Sequence, residues 1–411
     1  MASRCKDTDL SGLAARAERE KAEGDPTGFM SGALFYSDFA IILGGCVNFD
    51  PAVPEVEQKR IIQRVVHDPS LERPITAESI LKACSKLERG FLTRPRTPHR
   101  LLTEISLWWS IDVPRIKVGD VALTFKPKLE KGYAARARLA RESLSTLGFE
   151  LPSGYMRVSA HLKARSAHEA AERALNALDL VRASWNLALN RGKAWRHSGG
   201  RPTPINDIRL SPFHTVHDAA GTLATETFWF DPGYSRPAST FSDKTKFTKI
   251  LTFASNLRTR LGSLSYREDI ERALIRYVRA LDSADLNDTF LRLWSLLEYL
   301  TDSMHDPYKV ATRRAAFMFE DRERSQLVLS NLTSYRNRFV HVGSETEDIE
   351  SLVFQLKRYV DALLQFHIGT RFGFESRSEA ARFMDLPPDK VDLKLRAKRI
   401  EQARKFISGG G

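Results

Sequence analysis

The amino-acid sequence predicts an α+β protein, in which a mixed α/β N-terminal region is followed by an all-α helical bundle. Up to about residue 250, some segments alternate apolar and polar residues as strands do, and others keep helical spacing. From residue 263 onward only helical spacing remains. With 411 residues, of which 42% are apolar, the chain has enough apolar side chains for two or three cores.

The first segments of the mixed region have contrasting patterns. Residues 33–49 are the most apolar stretch. We interpret them as one or two buried strands, because a membrane span needs ~20 apolar residues. Residues 56–67 and 76–89 keep helical spacing. Thr76 and Ser79 stand where a capped start of the second helix is expected.

Strands are predicted next, and then a long helix. Residues 101–110 and 118–127 are strand-like. Residues 154–163 alternate between apolar and polar side chains, as in a strand with one face exposed to solvent. Ser166 and Glu169 have the spacing of a capping box, which starts the helix that follows. Further strand-like segments occur at residues 205–216 and 222–230.

The C-terminal part contains four principal helices and one shorter helix. Apolar side chains at steps of three and four mark them at residues 266–281, 287–302, 310–319, 324–342 and 344–368. Ser344 and Glu347 form a second capping-box pattern. Short loops between the helices favour antiparallel neighbours and therefore a bundle. The third principal helix has the apolar stripe Val328, Leu332, Tyr335, Phe339 and Val342.

These patterns divide the chain into four parts. Residues 1–28, rich in Ala, Glu, Lys and Arg, predict a loose helix or a disordered extension. Residues 29–250 form the α+β part, which we interpret as a sensory or regulatory region with a break near residue 150. Residues 263–370 form the bundle, and residues 371–411 form a basic helical tail.

Composition restricts the partners and the compartment. Lys and Arg total 63 against 51 Asp and Glu, and the net charge of +12 favours polyanions without choosing among RNA, DNA and membranes. A merely basic protein is the alternative. The three cysteines form no Cys-x-x-Cys pair, which argues against a zinc site and suits a reducing cytosol. Since no signal-peptide pattern follows Met1, we expect a cytoplasmic protein without a membrane segment.

The third principal helix ends in a short motif, Arg336-Asn337-x-x-x-His341, just before Gly343. At about 100° per residue, His341 and Asn337 lie about 40° apart and point away from the apolar stripe. Arg336 lies about 140° from His341. Three arrangements remain open. The arginine side chain reaches round to the histidine, the helix unwinds near Gly343, or the arginine acts with the histidine of a second subunit.

The bundle resembles the HEPN superfamily, and the nearest branch is that of the ApeA-like abortive-infection proteins. The resemblance is carried by the Arg-Asn-x-x-x-His motif, by the segment LWSLLEYL at residues 293–300 of the preceding helix, and by the order of the four helices. It covers roughly residues 263–370 of the chain.

The resemblance implies an activity and its residues. Many HEPN domains are metal-independent endoribonucleases that pair, so that two Arg/His motifs line one cleft. Carried over to this chain, the catalytic residues are Arg336, Asn337 and His341, with no metal and no cofactor. The implied biology is that of a toxin or effector in antiviral abortive infection. Such a hydrolase acts on RNA as a homodimer, in response to a phage-derived trigger or a regulatory partner.

RNA cleavage needs few protein groups, because RNA carries its own nucleophile, the 2′-OH. A base must take the proton of this hydroxyl, an acid must protonate the leaving 5′-oxygen, and a cation must stabilise the transition state. Histidine serves in either proton transfer, and a helix C-terminus, which favours positive charge, suits His341 as the acid. Arg336 supplies a planar guanidinium, whose positive charge and N–H donors fit the oxygens of a phosphate group.

Glu298 is a secondary candidate for the same site. It lies one turn after Trp294, beside the apolar face of its helix, where a lone carboxylate is costly. One interpretation is that it orients His341 or pairs with Arg336 or Arg338. The other is a structural Glu–Arg pair inside the bundle.

Weaker signals occur outside this motif. A candidate RNA-binding set, in which Trp195 stacks on a base, consists of Arg191, Lys193, Trp195, Arg196 and Arg338. Solvated loops are the alternative for the first four. His214 and His217 fall on opposite faces of a strand and lack a third ligand, so we expect no metal there.

Two rival functions remain on the sequence alone. A catalytically inactive HEPN adaptor would bind nucleic acid or protein through the same surface and leave RNA intact. A deoxyribonuclease or another phosphodiesterase would need divalent metal. The mechanism above needs the 2′-OH and therefore acts on RNA only.

Overall fold

A computed structural model of the protein confirms the α+β class. The N-terminal part contains an antiparallel sheet of six strands, and the C-terminal part is helical. The structure describes residues 4–5, 10–12, 14–15, 40–66, 75–128, 134–193, 203–235, 239–343, 346, 348–369, 371–387 and 389–409.

The six-stranded sheet is built around two long central strands. The strands are β3 (Thr97–Trp108), β4 (Ile116–Val118), β5 (Val121–Lys126), β6 (Tyr155–Ala164), β7 (Phe213–Asp218) and β8 (Trp229–Phe230). Their order is β4-β5-β6-β3-β7-β8, and all neighbours are antiparallel. Met156, Val158 and Ala160 of β6 are buried, as the alternating pattern predicts.

A smaller unit precedes this sheet. The two short strands β1 (Arg4–Cys5) and β2 (Val47–Asn48) pair with each other, and helices α1 (Glu55–Val66) and α2 (Ala77–Leu92) pack into one core. Both helices were predicted. Thr76 caps α2 as expected, because its side chain accepts a hydrogen bond from the backbone N–H of Ser79 at 3.1 Å.

The prediction of strands within residues 33–49 is wrong for most of the stretch that the structure describes. Residues 40–46 are helical, and only the short strand β2 follows them. The beginning of the stretch lies outside the described residues. Helical spacing explains the burial, because Leu43 and Cys46 are buried three residues apart while Ile41 is exposed. A short apolar run has no clear period, so the sequence pattern alone does not separate helix from strand.

Two helices lie where the sequence indicated none. Helix α3 (Ala134–Thr146) packs beside the sheet, and α5 (Lys244–Gly262) contributes to the cores of both sheet and bundle. The buried positions of α3 include Arg136, whose Nη2 lies 2.7 Å from a carboxylate oxygen of Glu104 in β3. A charged residue in the buried face weakens the apolar periodicity, so the sequence pattern does not indicate a helix here.

A long helix, α4 (Ala167–Asn190), connects sheet and bundle. Ser166 caps it by accepting a hydrogen bond from the backbone N–H of Glu169 at 3.1 Å, as predicted. Alanines of its first half pack in the core of the sheet, whereas Ala183 and Leu187 belong to the core of the bundle. One helix therefore fixes the two cores against each other.

The bundle follows the predicted order of helices. They are α6 (Arg267–Ala280), α7 (Leu286–Leu300), α8 (Tyr308–Ala316), α9 (Arg322–Val342) and α10 (Ile349–Gly369), with α11 (Arg377–Met384) and α12 (Lys390–Gly409) after them. Aromatic side chains of α6, α7 and α9 share one core. The predicted capping pair Ser344 and Glu347 lies outside the described residues. The domain boundaries stay predictions.

Buried charges join α4 to the bundle. Arg182 of α4 is 3% exposed and contacts Asp179 at 2.7 Å and Asp282, just after α6, at 2.6 Å. Arg279 of α6 contacts Asp179 at 2.6 Å. Burial by itself lowers the pKa of Arg182, but the two carboxylates more than offset this and raise it. Each buried carboxylate in this cluster thus has a cationic partner.

Another buried polar contact joins three parts of the bundle. The hydroxyl of Tyr266 donates to Nδ1 of His367 at 3.1 Å, and Nε2 of His367 donates to the carbonyl oxygen of Leu300 at 2.9 Å. Burial lowers the pKa of His367 to about 4. The neutral ring is therefore the form that the folded state stabilises.

We expect the protein to lose stability in mild acid, because the unfolded chain protonates His367 near pH 6.5 and the folded chain only near pH 4. This contribution is fully present above about pH 6.5 and is lost as the pH falls, by on the order of 3 kcal/mol. His367→Gln keeps an N–H donor for Leu300 but does not titrate, so its free energy of unfolding should fall less with pH.

Urea unfolding at several pH values between about 7 and 4 measures this difference. The exposed His305 provides the control His305→Gln, which should keep the wild-type pH dependence. Equal losses in wild type and His367→Gln contradict the prediction.

Candidate functional site

The predicted motif lies in the last turns of α9, which stays regular to its end. Gly343 ends the helix with φ 66°, a left-handed conformation that glycine adopts easily. Its N–H donates to the carbonyl oxygen of Phe339 at 2.9 Å. The alternative that the helix unwinds near Gly343 is therefore wrong, because the glycine closes the last turn.

Contacts with α7 fix the rotation of α9 about its axis. The buried Tyr335 donates its hydroxyl proton to Oδ1 of Asn287 at 2.6 Å, and its ring meets Phe290 edge-on at 4.9 Å. Leu332 is buried with it, whereas Val342, predicted in the same stripe, is 76% exposed. These contacts determine which way the motif residues face.

Arg336 is half-buried and faces α8. Its guanidinium carbon lies 4.8 Å from the ring centroid of Tyr308, and its Nη1 donates to Oδ1 of Asn337 at 3.3 Å. The Tyr308 ring meets Trp294 edge-on at 6.2 Å. The arginine is thus held by a cation–π contact instead of reaching round to His341 of its own chain. The arrangement with a second subunit stays a prediction.

Sequence reasoning missed the role of Tyr308. The short helix was predicted at residues 310–319, but α8 begins at Tyr308, directly after Pro307. Proline is common at helix starts, so this proline was a signal that places Tyr308 in the first turn. No local pattern, however, indicates that this turn meets Arg336, which lies 28 residues later in the chain.

His341 is exposed, as the helical geometry predicts. Asn337 beside it is half-buried, and Arg338 is exposed. A partner or substrate can therefore reach His341 and Asn337 from solvent. The site presents an imidazole, an amide and, on a neighbouring face, a guanidinium held against an aromatic ring.

Glu298 has a different partner from those considered. Its Oε1 accepts a hydrogen bond from the indole N–H of Trp294 at 2.8 Å. The carboxylate is half-buried, and its hydrogen bond goes to this residue one turn earlier rather than to His341, Arg336 or Arg338. We therefore assign Glu298 to the packing of Trp294, which is 2% exposed.

The predicted RNA-binding set is only partly at the surface. Nζ of Lys193 donates to the carbonyl oxygen of Ile205 at 2.7 Å and to Asp207 at 2.9 Å, so this lysine closes a loop. Burial lowers its pKa, against the opposing effect of Asp207. Arg191 is exposed. Trp195 and Arg196 lie outside the described residues.

The histidines of β7 make hydrogen bonds to hydroxyl groups of the sheet. Nδ1 of His214 lies 2.7 Å from the Thr103 hydroxyl, and the His217 ring contacts the Thr215 hydroxyl at 3.0 Å. Burial lowers the pKa of His214 to about 3, which keeps it neutral at ordinary pH. In the described part of the chain, no cluster of three or more His, Cys, Asp or Glu side chains is placed to bind a metal ion.

Comparisons of the chain with protein-family models, with curated proteins and with solved structures gave no match. The HEPN resemblance therefore depends on the motif, the residues of α7 and the order of helices. Among the described residues, no helix has both the length and the apolar character to cross a membrane.

We predict that Glu298→Ala lowers the free energy of unfolding by about 1–3 kcal/mol, because the indole N–H of Trp294 then lacks its acceptor. Glu298→Gln retains an oxygen acceptor at the same place, so it should lose less than about 1 kcal/mol. Urea unfolding at neutral pH measures both, with the exposed Glu323→Ala of α9 as the control. Wild-type stability in Glu298→Ala would rule out this role.

Proposed function

We propose that this protein is a metal-independent endoribonuclease of HEPN type that cleaves RNA through attack by the 2′-OH. The observation that carries the proposal is the arrangement at the end of α9. An exposed His341 lies beside Asn337, and Arg336 is held against Tyr308. A proton-transfer group and a phosphate-binding cation thus lie on one helix end whose orientation is fixed by packing.

Two copies of the chain supply what one copy lacks. Cleavage needs a base and an acid at the same phosphate, whereas each α9 end carries one histidine. In a two-fold pair, one His341 takes the proton of the 2′-OH and the other protonates the 5′-oxygen. Arg336 of one copy then acts with His341 of the other copy, because it points about 140° away from the histidine of its own chain.

The bonds formed and broken require no further reactant. The 2′-oxygen bonds to phosphorus while the 5′-oxygen leaves and takes a proton. The products are therefore a 2′,3′-cyclic phosphate and a 5′-hydroxyl end. The guanidinium of Arg336 stabilises the charge on the phosphoryl oxygens, and its contact with Tyr308 limits the reorganisation that this requires.

The outer face of α9 supports pairing through the bundle. Leu327 and Val342 are 69% and 76% exposed and lie about 60° apart around the helix, so covering them removes apolar surface from water. Ser330 and Ser334 lie within about 20° of His341 around the helix. Both serines are exposed, and their small side chains permit close approach of a second helix.

Positive charge supports an RNA substrate. The net charge is +12, and the chain from Lys390 onward has seven basic and two acidic residues. All side chains of α12 that the structure describes are exposed. Such a helix can contact backbone phosphates outside the cleft without reading a sequence. Arg338 and Arg191 are exposed and add to the same surface charge.

The biological role is the part of the proposal that depends on resemblance alone. ApeA-like HEPN proteins act in abortive infection, so we place this chain among cytoplasmic antiphage toxins that respond to a phage-derived trigger. The α+β region is then the part that senses or regulates. A catalytically inactive adaptor is the second candidate, and the hydrogen bond from Nη1 of Arg336 to Oδ1 of Asn337 at 3.3 Å favours it, because this bond uses one of the guanidinium donors.

The wild-type protein should cleave total RNA in the presence of EDTA, whereas His341→Ala and Arg336→Ala should each slow cleavage by at least about 100-fold. The matched control is Arg324→Ala, an exposed arginine at the start of the same helix, which should cleave at the wild-type rate. Gel electrophoresis and end analysis of the products measure both rate and end chemistry. Intact RNA with wild type favours the adaptor, and cleavage only with divalent metal favours the phosphodiesterase rival.

Mixing subunits tests the shared cleft. An equimolar mixture of wild type and His341→Ala, after subunit exchange, should keep about a quarter of the wild-type rate, because only dimers with two histidines cleave. Two independent sites would instead keep about half of it. Initial rates on a fluorescent RNA distinguish the two. A fully active monomer in light scattering would exclude the shared cleft but not the ribonuclease itself.

A further inference from the structure

A cavity of about 320 Å³ lies between the sheet and the bundle, away from the end of α9. Its walls come from α4, from β7 and the segment that leads into it, from the segment after β8, from the end of α6 and from α7. The lining residues are Leu175, Asp179, Arg182, Arg209, Leu210, Ser211, His214, Asp231, Tyr234, Arg279, Asp282 and Arg292. Arginine is the most frequent residue type among them, and this makes the cavity a candidate site for an anion.

Arg209 differs from the other arginines of this lining in its partners. It is 4% exposed, and its Nη1 makes one hydrogen bond, to the Ser235 hydroxyl at 3.2 Å. Its Nε is buried and has no hydrogen-bond partner within the described ranges. No carboxylate among the described residues lies within 4.0 Å of its guanidinium. A buried cation without an anionic partner is unfavourable, so an anion bound beside Arg209 would stabilise it.

The acidic side chains of the cavity do not form an ion pair with Arg209. Asp179 and Asp282 both bind Arg182, and Asp179 also binds Arg279. Asp231 is exposed at the rim, where its carboxylate accepts the N–H of Gly233 at 2.9 Å. The carboxylates of the lining are thus occupied or peripheral. Among the described residues, Arg209 contacts the Ser235 hydroxyl and, at 5.6 Å from the ring centroid, Tyr234, but no carboxylate.

A second buried donor lines the same cavity. Ser211 is 1% exposed, and its Oγ has no hydrogen-bond partner among the residues that the structure describes. The backbone of this segment is paired with β3, because the N–H of Ser211 donates to the carbonyl oxygen of Glu104 and the N–H of Arg209 donates to the Ser106 hydroxyl. The backbone positions of both residues are therefore fixed by hydrogen bonds to β3.

We propose that this cavity binds the phosphoryl group of a small phosphorylated molecule, with Arg209 and Ser211 as its donors. Phosphate matches the planar guanidinium and accepts several hydrogen bonds at once. Leu175, Leu210 and the ring of Tyr234 provide apolar surface for an organic group attached to the phosphate. The proposal does not depend on ribonuclease activity, because the cavity uses none of the residues at the end of α9.

Thermal unfolding with and without ligand tests the site, because a molecule that binds only the folded state raises Tm. The probes are inorganic phosphate, a nucleoside monophosphate, a nucleoside triphosphate and the unphosphorylated nucleoside. We expect the phosphorylated probes to raise Tm and the nucleoside to leave it unchanged. Equal effects of phosphate and nucleotide identify free phosphate as the ligand, and a larger effect of a nucleotide identifies an organic phosphate. No shift with any probe overturns the proposal.

Arg209→Met separates a ligand-binding arginine from a structural one. Because a buried charge with no carboxylate partner among the described residues is removed, we expect Tm without ligand to stay equal or rise, while the shift caused by the phosphorylated probe disappears. The control is Arg272→Met, an exposed arginine of α6 outside the cavity, which should keep the full shift. A variant that is less stable but keeps the full shift overturns the proposal.

Ser211→Ala provides a second variant should Arg209→Met fail to fold. Its hydroxyl has no hydrogen-bond partner in the part of the chain that the structure describes, so stability without ligand should not change. Isothermal titration with the best phosphorylated probe should show a several-fold weaker Kd, because one hydrogen bond to the anion is lost. An unchanged Kd contradicts the assignment of Ser211 and Arg209 as the donors.

Discussion

The buried ion-pair cluster of Arg182, Asp179 and Asp282 is the constraint on which the remaining structure depends. A guanidinium that is 3% exposed must keep its carboxylates, since removing one partner of a buried pair costs about 3–5 kcal/mol. The cluster therefore holds α4 in one position on α6. Since α4 also packs in the core of the sheet, the same contacts set the position of the sheet relative to the bundle.

The geometry of the candidate ribonuclease site depends on this packing of α4, α6 and the sheet. Helix α7 packs on α6 in the core of the bundle, and Asn287 and Phe290 of α7 hold Tyr335 of α9. With the rotation of α9 set in this way, Arg336 faces Tyr308 and His341 faces solvent. The site is thus open to solvent on one side, and the proposed second copy of the chain would close it.

The cavity around Arg209 and the end of α9 differ in how far their positively charged side chains are exposed to solvent. At the end of α9, His341 is exposed and Arg336 is held by an aromatic ring, so a polymer can reach them from solvent. In the cavity, Arg209 is buried and its backbone N–H donates to the Ser106 hydroxyl of β3, which suits a small anion. Because the cavity walls belong to both sheet and bundle, a ligand there would stabilise their contact and is well placed to influence the bundle.

The sequence by itself determined the helices of the bundle, the alternating strand β6, the caps at Thr76 and Ser166, and the exposure of His341. Periodicity, capping and helical angles depend only on residues close in the chain, so they can be read without a structure. Only the tertiary structure decided that Arg336 stacks on Tyr308, that Lys193 closes a loop and that Arg209 is buried with no carboxylate partner among the described residues. These facts depend on contacts between separate elements, and no local pattern encodes which distant side chain a buried charge will meet.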